Sequence, residues 1–208
     1  MLKYKFYFRK SSFKKDLKNA HLLLNIIESH KPQNFLEVGL LEGATSRNIC
    51  ELLNIINNGK FSFSGIDLFG EDISKNNNKE FTPISKKISN PFKWIYFNVF
   101  LRMNPNSKEC VELLLNKFKN SVIIYKGYSK EILPKLNLEQ IDFVFLDGGH
   151  SYNTVKEDLN ILRERLKKKT VIVCDDYNIP HYGVKRAVDE IKGNYEFKDY
   201  GRFALIKI

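Results

Sequence analysis

The chain has 208 residues, of which 43% are hydrophobic and 13% aromatic. A chain this apolar does not resemble disordered proteins, and its length suffices for a buried core, so we expect residues 1–208 to form a single domain. The longest apolar run near the N-terminus, 22–27, is too short to cross a membrane, which argues against a membrane-spanning protein.

The net charge of the chain is +10, from 34 basic and 24 acidic side chains. Such an excess suits nucleic acid, an anionic membrane surface or a phosphorylated substrate, but a solvated lysine-rich surface also produces it. We therefore regard nucleic acid as a possible partner that is not favoured. The cysteines Cys50, Cys110 and Cys174 are far apart and form no CxxC pattern, so we expect reduced thiols and a cytoplasmic protein.

The first third of the chain predicts a helix followed by a strand–helix–strand unit. Residues 14–30 carry apolar side chains at helical spacing and belong to an N-terminal arm and helix over 1–33. Strands are predicted at 34–38 and 61–68, with an amphipathic helix at 45–56 between them. A helix between two strands at this spacing indicates a parallel crossover.

Residues 69–120 interrupt this alternation. The asparagine-rich stretch 75–79 predicts a loop, and an aromatic stretch punctuated by prolines follows it. A long irregular insertion in a compact domain is often functional, so one interpretation is a folded lid or a wall of the acceptor site. The other is a local packing cluster. The pattern over 110–118 predicts a helix.

The alternation resumes after residue 120. Strands are predicted at 121–125, 141–146 and 170–174, helices at 130–136, 154–166 and 184–191, and a final hairpin of two strands at 195–200 and 203–208. The pattern predicts an α/β fold with a Rossmann-like, doubly wound, mostly parallel sheet and an antiparallel C-terminal strand. A ligand is expected at the carboxyl ends of the parallel strands.

The first chemical motif is the turn after the first predicted strand. Glycine at Gly39 and Gly43 lets the backbone approach a ligand and turn sharply, and Thr45 and Ser46 are candidate helix caps. The GxxxG spacing differs from the GxGxxG of dinucleotide binders, and the lysine of a P-loop is missing. Glu37 would repel a pyrophosphate but suits a cationic ligand, which disfavours an NAD-dependent oxidoreductase and favours S-adenosylmethionine.

Asp67 lies near the end of the second predicted strand. A carboxylate at this position can accept hydrogen bonds from both hydroxyls of a ribose. The alternative is that it caps a helix or a loop. Because the glycine turn precedes it in the same strand–helix–strand unit, we favour the ribose.

Three further aspartates follow predicted strands. Asp147 ends the apolar run at 141–146, and Asp175 and Asp176 follow the run at 170–174. If these strands are neighbours, three carboxylates converge, which is unfavourable unless a cation or protons compensate. Oxygen ligands suit Mg²⁺ or Mn²⁺. The alternative, that the aspartates only cap turns and order their loops, is the one we favour less.

These motifs together resemble the class I S-adenosylmethionine-dependent methyltransferases. Within that class the chain is most similar to the small family that includes the macrocin-type sugar O-methyltransferases. The resemblance covers 35–67 and 126–188. Its most specific parts are the Asp-Gly-x-His-Ser-Tyr run from Asp147, the Asp-Asp-Tyr from Asp175 and the Gly-Val-Lys-Arg-Ala-Val at 183–188.

The resemblance implies S-adenosylmethionine as the cofactor, with Mg²⁺ or Mn²⁺ as a second one in the metal-dependent members. It places the cofactor on the glycine loop, the ribose on Asp67 and the adenine near residues 127–129. The residues predicted to contact the cofactor are Glu37, Gly39, Leu40, Gly43, Thr45, Ser46, Asp67, Leu68, Gly127, Tyr128, Ser129 and Asp147. The predicted metal ligands are Asp147, Asp175 and Asp176.

The predicted catalytic residues are His150 and Asp147. A bound cation would lower the pKa of an acceptor hydroxyl, and His150 could accept its proton. Some relatives carry a second acid two residues after the first, proposed as the base, where this chain has Gly149. His150 is the remaining candidate, although an isolated histidine is commonly structural, so both roles stay open.

The acceptor implied by the resemblance is a small molecule such as a sugar or sugar nucleotide, and the basic N-terminal arm could serve a homodimer. A nucleic-acid methyltransferase fits the charge. However, amino-directed adenine enzymes carry Asn/Asp-Pro-Pro-aromatic where this chain has the run from Asp147 to His150. A non-catalytic nucleotide-binding Rossmann-like module is the third reading, and the presence of that run with Asp175 and Asp176 argues against it.

Overall fold

The computed structural model describes residues 16–69, 91–181 and 183–208. The strands are β1 (Asn34–Val38), β2 (Ser62–Asp67), β3 (Val122–Lys126), β4 (Phe143–Leu146), β5 (Val171–Cys174), β6 (Glu196–Asp199) and β7 (Ala204–Lys207). The helices are α1 (Leu17–His30), α2 (Ala44–Ile56), α3 (Pro91–Ile95), α4 (Lys108–Leu114), α5 (Ser129–Ile132), α6 (Tyr152–Arg165) and α7 (Val184–Ile191). None of the helices in the described ranges has the length and apolar character needed to cross a bilayer.

These seven strands form one sheet in the order β3-β2-β1-β4-β5-β7-β6. Strands β1 to β5 are parallel, and β7 pairs antiparallel with both β5 and β6. The Rossmann-like, mostly parallel sheet is therefore confirmed, and its antiparallel part is the predicted C-terminal hairpin. Because β1 and β4 lie at the centre of the order, the loops after them meet in the middle of one sheet edge.

Helices cover both faces of the central strands. On one face, α1, α2 and α4 pack over Phe35, whose ring centroid lies 5.8 Å from that of Phe63 and 5.0 Å from that of Phe143. On the other face, α6 and α7 pack over a cluster that includes Leu36 and Val144. Each fully buried side chain of this size contributes about 2–3 kcal/mol through burial, so a one-residue slip of a strand is strongly disfavoured.

The insertion predicted at 69–120 is helical over 91–101, 108–114 and 116–118. α3 continues into a π-helical turn at Tyr96–Leu101, which is exposed or half-buried. α4 begins two residues before the predicted start because Ser107 Oγ accepts the backbone N–H of Cys110 at 3.2 Å. The predicted loop at 75–79 lies outside the described residues.

An ion-pair cluster around the buried Glu51 fixes α4 and the following turn against α2. Arg47 Nη2 lies 2.7 Å from Glu51 Oε1, and Lys117 Nζ lies 2.6 Å from Glu51 Oε2. Arg47 also donates a hydrogen bond to the carbonyl of Leu114 at 2.7 Å. The buried carboxylate of Glu51 is thus paired with two cations, as burial of a charge requires, and the contacts hold the end of the insertion against α2.

The ends of α5 and α1 also differ from the sequence prediction. α5 stops at Ile132 and continues as a 3₁₀ turn, because Pro134 has no N–H to extend the helix. α1 begins where Asp16 Oδ1 accepts the N–H of Asn19 at 3.2 Å. The predicted helical residues before Asp16 lie outside the described part of the chain.

Candidate functional site

The loops that follow the parallel strands are held in register at the carboxyl edge of the sheet. In each of these loops the strand pairing continues for one residue. The backbone N–H groups of Gly39, Gly127, Asp147 and Asp175 donate to the carbonyls of Ile66, Asp67, Val38 and Leu146 at 2.8, 3.0, 2.8 and 2.9 Å respectively. The candidate residues from four strands therefore start from fixed positions along one edge.

Gly39 and Gly43 both have a positive φ, +93° and +71° respectively. A Cβ on Gly39 would lie 2.3 Å from the carbonyl oxygen of Asp147, and one on Gly43 would lie 2.9 Å from Cγ1 of Val111. Besides the predicted approach of a ligand, these two glycines let neighbouring parts of the protein approach, since a side chain at either position would collide with them.

The prediction that Thr45 and Ser46 cap α2 is wrong. The helix begins one residue earlier, at Ala44, and its N-cap is Gly43, which has no side chain to accept a hydrogen bond. Thr45 and Ser46 lie inside the first turn, and both are buried. Since Gly43 provides no side-chain cap, the first backbone N–H groups of this helix can receive an electronegative ligand atom.

Glu37 is fully buried beneath the first turn of α2. Within the described part of the chain, neither oxygen of its carboxyl group has a hydrogen-bond partner. Burial raises the pKa of Glu37 to about 8. The nearby Ser46 hydroxyl lowers this pKa, although it forms no hydrogen bond of normal geometry with the carboxyl group, and the charge of Asp67 raises it. A buried carboxyl without a partner is a favourable site for a cationic or hydrogen-bond-donating ligand.

The carboxylate of Asp67 joins the loops after β1 and β2. Its Oδ2 accepts the N–H groups of Leu40 and Leu41 at 2.7 and 2.8 Å, and its Oδ1 accepts that of Phe69 at 2.7 Å. Asp67 thus caps the loops, which is the alternative to ribose binding that the sequence also allows. A carboxylate has about four acceptor positions, so the three contacts leave room for one hydroxyl without rearrangement.

The remaining residues predicted to contact the cofactor divide into two groups. Leu68, Gly127, Tyr128 and Ser129 are half-buried at the ends of β2 and β3, where a ligand bound at the edge can reach them. Leu40 is 3% exposed, and its side chain packs over Gly65 in the core. Leu40 therefore presents only its backbone to this edge, and that N–H is bonded to Asp67.

The three aspartates converge as predicted, because β4 and β5 are neighbours in the sheet. One carboxylate oxygen from each of Asp147, Asp175 and Asp176 lies within 4.8 Å of the others. Burial, followed by the neighbouring Asp175, raises the pKa of Asp147 well above its ordinary value. The pKa of Asp176 is also raised, by burial and by the charge of Asp175.

The cation beside these carboxylates is Arg202, which sequence reasoning missed. Its Nε and Nη2 donate to the two oxygens of Asp175 at 2.5 and 2.6 Å, and Nη2 lies 3.1 Å from Oδ1 of Asp176. The side chain of Arg202 is 26% exposed and that of Asp175 is 5% exposed. This is a bidentate arginine–carboxylate pair in a largely buried position, the strongest geometry for a hydrogen-bonded pair of these groups.

A signal for Arg202 was present in the sequence. The predicted hairpin around Gly201 turns back toward the end of β5, and antiparallel pairing sets Cys174 opposite Ala204. The turn before β7 therefore lies beside the residues that follow β5. Three converging carboxylates require positive charge, and a search of this turn for an arginine would have supplied it.

The acid cluster, formed by Asp147, Asp175 and Asp176, does not fit a divalent cation in its present arrangement. Mg²⁺ and Mn²⁺ need carboxylate oxygens that are free to coordinate at about 2.1 Å. Both oxygens of Asp175 already accept hydrogen bonds from Arg202, and Oδ1 also accepts the N–H of Asp176 at 2.7 Å. A metal ion would have to displace the guanidinium, so we derive no chemical step through a metal.

His150 lies beside the acid cluster on the loop before α6. Its Nε2 is 3.8 Å from Oδ2 of Asp176, and its carbonyl accepts the N–H of Gly183 at 2.7 Å. The side chain is 36% exposed, so it can reach a molecule bound at the edge of the sheet. The distance to Asp176 permits a favourable interaction with a protonated imidazole.

A crevice opens in front of the cluster between α1 and the sheet. Its walls are formed by Asp16, which caps α1, by Asn19, Ala20 and Leu23 of α1, and by Thr45, Phe145, Asp147, Asp175, Arg202 and Phe203. The lining combines apolar side chains with the Arg202–Asp175 pair. A small polar molecule with an apolar face matches this lining.

Comparisons with known proteins identify a family for this chain and similar folds. The model of a family described as "Methyltransferase domain" matches residues 36–177. The calicheamicin methyltransferase CalS11 is similar with a TM-score of 0.62 at 16% identity, over 95% of this chain and 80% of that one. The O-methyltransferase NovP has a TM-score of 0.60 at 16% identity, over 93% and 79%.

A third similar structure is the O-methyltransferase TomG from Streptomyces achromogenes, with a TM-score of 0.59 at 15% identity, over 91% of this chain and 79% of that one. No curated protein matches the sequence significantly. At these identities the solved structures establish the fold alone. The family model, however, covers more than half of the chain and includes Glu37, the glycine turn, Asp67 and the acid cluster. The chain therefore belongs to the methyltransferase-domain family.

Proposed function

We propose that the protein is an S-adenosylmethionine-dependent methyltransferase that acts on a hydroxyl group of a small molecule. The observation that carries the proposal is Glu37, a fully buried carboxyl with no partner among the described residues, at the centre of the sheet edge. S-adenosylmethionine carries a sulfonium and an ammonium group. A cation of this kind compensates a buried carboxylate, whereas the pyrophosphate of a dinucleotide would be repelled.

The residues around Glu37 fit the rest of such a cofactor. Asp67 has one acceptor position left for a ribose hydroxyl, and the half-buried residues 127–129 lie where an adenine would reach. The uncapped N-terminus of α2 can bind a carboxylate. When bound, S-adenosylmethionine supplies a methyl group on a positively charged sulfur, which makes that carbon electrophilic.

The protein's own part in the transfer is to align the acceptor with the cofactor and to remove the proton of the acceptor hydroxyl. The acceptor would lie in the crevice between α1 and the acid cluster, so that its oxygen faces the methyl carbon in line with the sulfur. His150 is the candidate to accept the hydroxyl proton, and Asp176 at 3.8 Å would stabilise the resulting imidazolium. Asp147 is the candidate to orient the hydroxyl.

The class of acceptor is suggested by the similar structures. CalS11 is described as a TDP-rhamnose 3'-O-methyltransferase, and NovP and TomG as O-methyltransferases. A sugar, a sugar nucleotide or another small hydroxyl compound is therefore the first acceptor class to assay.

Calorimetric titration with S-adenosylhomocysteine tests the cofactor assignment. We expect saturable binding to the wild-type chain, with the same affinity with and without Mg²⁺. The Asp67→Ala variant should bind about tenfold more weakly or worse, since a hydrogen bond to a charged group is worth about 1.5–3 kcal/mol.

The control for this titration is Glu157→Ala, which removes an exposed carboxylate on α6. It should bind like the wild type, and thermal unfolding should show that Asp67→Ala is folded. Binding of NAD in place of S-adenosylhomocysteine would refute the assignment, as would an affinity that Asp67→Ala leaves unchanged.

A further inference from the structure

The protein itself supplies a positive charge to the acid cluster. Arg202 contacts Asp175 with two nitrogen atoms and Asp176 with one of the same two. The hydrogen bonds to Asp175, followed by the charges of Asp175, Asp176 and Asp147, raise the pKa of Arg202, so it stays protonated at any ordinary pH. One guanidinium thus faces all three carboxylates.

The position of Arg202 is set by the backbone of the hairpin that carries it. Its carbonyl accepts the N–H of Tyr177 at 2.9 Å, and the carbonyl of the preceding Gly201 accepts Nδ2 of Asn178 at 2.7 Å. Gly201 itself has a φ of +79°, and its N–H donates to Asp199 Oδ1 at 2.7 Å. The turn is therefore tied to the loop after β5, and Arg202 is delivered to the cluster by local structure.

A guanidinium in this place and a divalent cation exclude each other. Both oxygens of Asp175 are used by Arg202, and Asp175 is the most buried member of the cluster. A metal ion bound to the same carboxylate would stand within a few ångströms of a second positive charge in a poorly solvated position, where repulsion is strong. The side chain of Arg202 also lines the crevice in which an acceptor would bind.

We propose that Arg202 takes the place of a divalent cation in this chain, holding Asp175 and Asp176 in position at the acceptor crevice. The inference rests on the proposed function. Arg202 is a positioning residue, since it acts through the carboxylates it holds. Two consequences follow: the wild-type protein has no Mn²⁺ site at the cluster, and removal of the guanidinium creates one.

Binding of Mn²⁺ alone, followed by electron paramagnetic resonance of the free ion, tests the proposal without any acceptor. We expect no stoichiometric binding to the wild-type chain. Arg202→Met should gain about one Mn²⁺ per chain, because three oxygen ligands become free. Arg202→Met combined with Asp175→Asn should lose that site again. Arg202→Lys keeps a positive charge and should bind no Mn²⁺.

The matched control is Arg186→Met, which removes an arginine whose side chain is 72% exposed on α7. It should behave as the wild type does. One equivalent of Mn²⁺ bound by the wild-type chain and removed by Asp175→Asn would overturn the proposal. A folded Arg202→Met variant that binds no Mn²⁺ would overturn it as well.

The wild-type titration decides the matter even if Arg202→Met does not fold. Failure of the proposed function is separable from failure of this inference, because it appears in the titration with S-adenosylhomocysteine. A chain that binds neither Mn²⁺ nor S-adenosylhomocysteine keeps Arg202 as the counter-ion and loses the methyltransferase assignment.

Discussion

Glu37 is the residue whose chemistry the fold alters most clearly. Its pKa of about 8 in the folded chain lies above its ordinary value of 4.5. Between these two values the unfolded chain releases a proton that the folded chain keeps, so the stability of the ligand-free protein falls as pH rises from about 4.5 to 8. The loss amounts to a few kcal/mol, since each pKa unit is worth about 1.4 kcal/mol.

The variant Glu37→Gln should remove this dependence, because its amide carries no titrating proton. Urea unfolding at pH 5.5 and 7.5 measures the effect: the wild type should lose more stability between these pH values than the variant. Glu157→Gln, at an exposed site on α6, should keep the wild-type slope. Equal slopes for the wild type and Glu37→Gln would show that Glu37 is ionised in the folded chain at pH 7.5.

At the same scale, the sequence predicted some site residues and missed others for a physical reason. The convergence of Asp147 with Asp175 and Asp176 followed from apolar runs that end in acids, because parallel strands deliver their carboxyl ends to one edge. Arg202 lies in the turn before β7, and because β7 is antiparallel to β5, it is the start of β7 that lies at that edge. Identifying the partner of Asp175 therefore requires knowing that β5 pairs with β7, which no local sequence pattern indicates.

At the scale of elements, the turn after β1 is fixed by a close approach of two loops. A Cβ on Gly39 would lie 2.3 Å from a backbone atom of the loop after β4, whereas a Cβ on Gly59 meets nothing closer than 3.7 Å. Both glycines have a positive φ, +93° and +80°. Alanine substitutions at Gly39 and Gly59 therefore distinguish the loss of stability caused by a steric clash from the loss caused by a left-handed backbone conformation.

We expect Gly59→Ala to cost about 1–2 kcal/mol, the price of a left-handed backbone conformation. Gly39→Ala should cost about 1–3 kcal/mol more, since the loops after β1 and β4 must move apart. Chemical denaturation of both variants measures the difference. Equal losses would mean that the loop after β4 moves freely and that the two halves of the edge are not coupled.

Most elements were predictable because their signals are local. Strand β1 and helix α7 have the predicted bounds, since β1 is a short run of buried residues and α7 carries its apolar residues at regular helical spacing. The predicted caps of α2 were wrong because the chain enters that helix through Gly43, whose conformation depends on the packing of Val111 against it. Val111 is 68 residues from Gly43 in the sequence, so the local sequence pattern cannot indicate this contact.

At the scale of the whole molecule, the net charge of +10 calls for a test of its own. We expect RNA to bind weakly through its phosphates, with affinity that falls at least about tenfold between 50 and 200 mM salt, and to receive no methyl group. Fluorescence anisotropy of a labelled oligonucleotide and transfer of a radioactive methyl group to RNA measure the two quantities. Salt-resistant binding together with methyl incorporation would favour a nucleic-acid methyltransferase instead.

The hairpin formed by β6 and β7 gives the fold a simple means of variation. It pairs only with β5, so the turn at Gly201 and Arg202 can change while the five parallel strands stay as they are. On the proposed assignment, one codon in that turn determines whether the same three carboxylates hold an arginine or a metal ion. Dependence on magnesium could thus be gained or lost within a lineage by a point mutation at the periphery of the sheet.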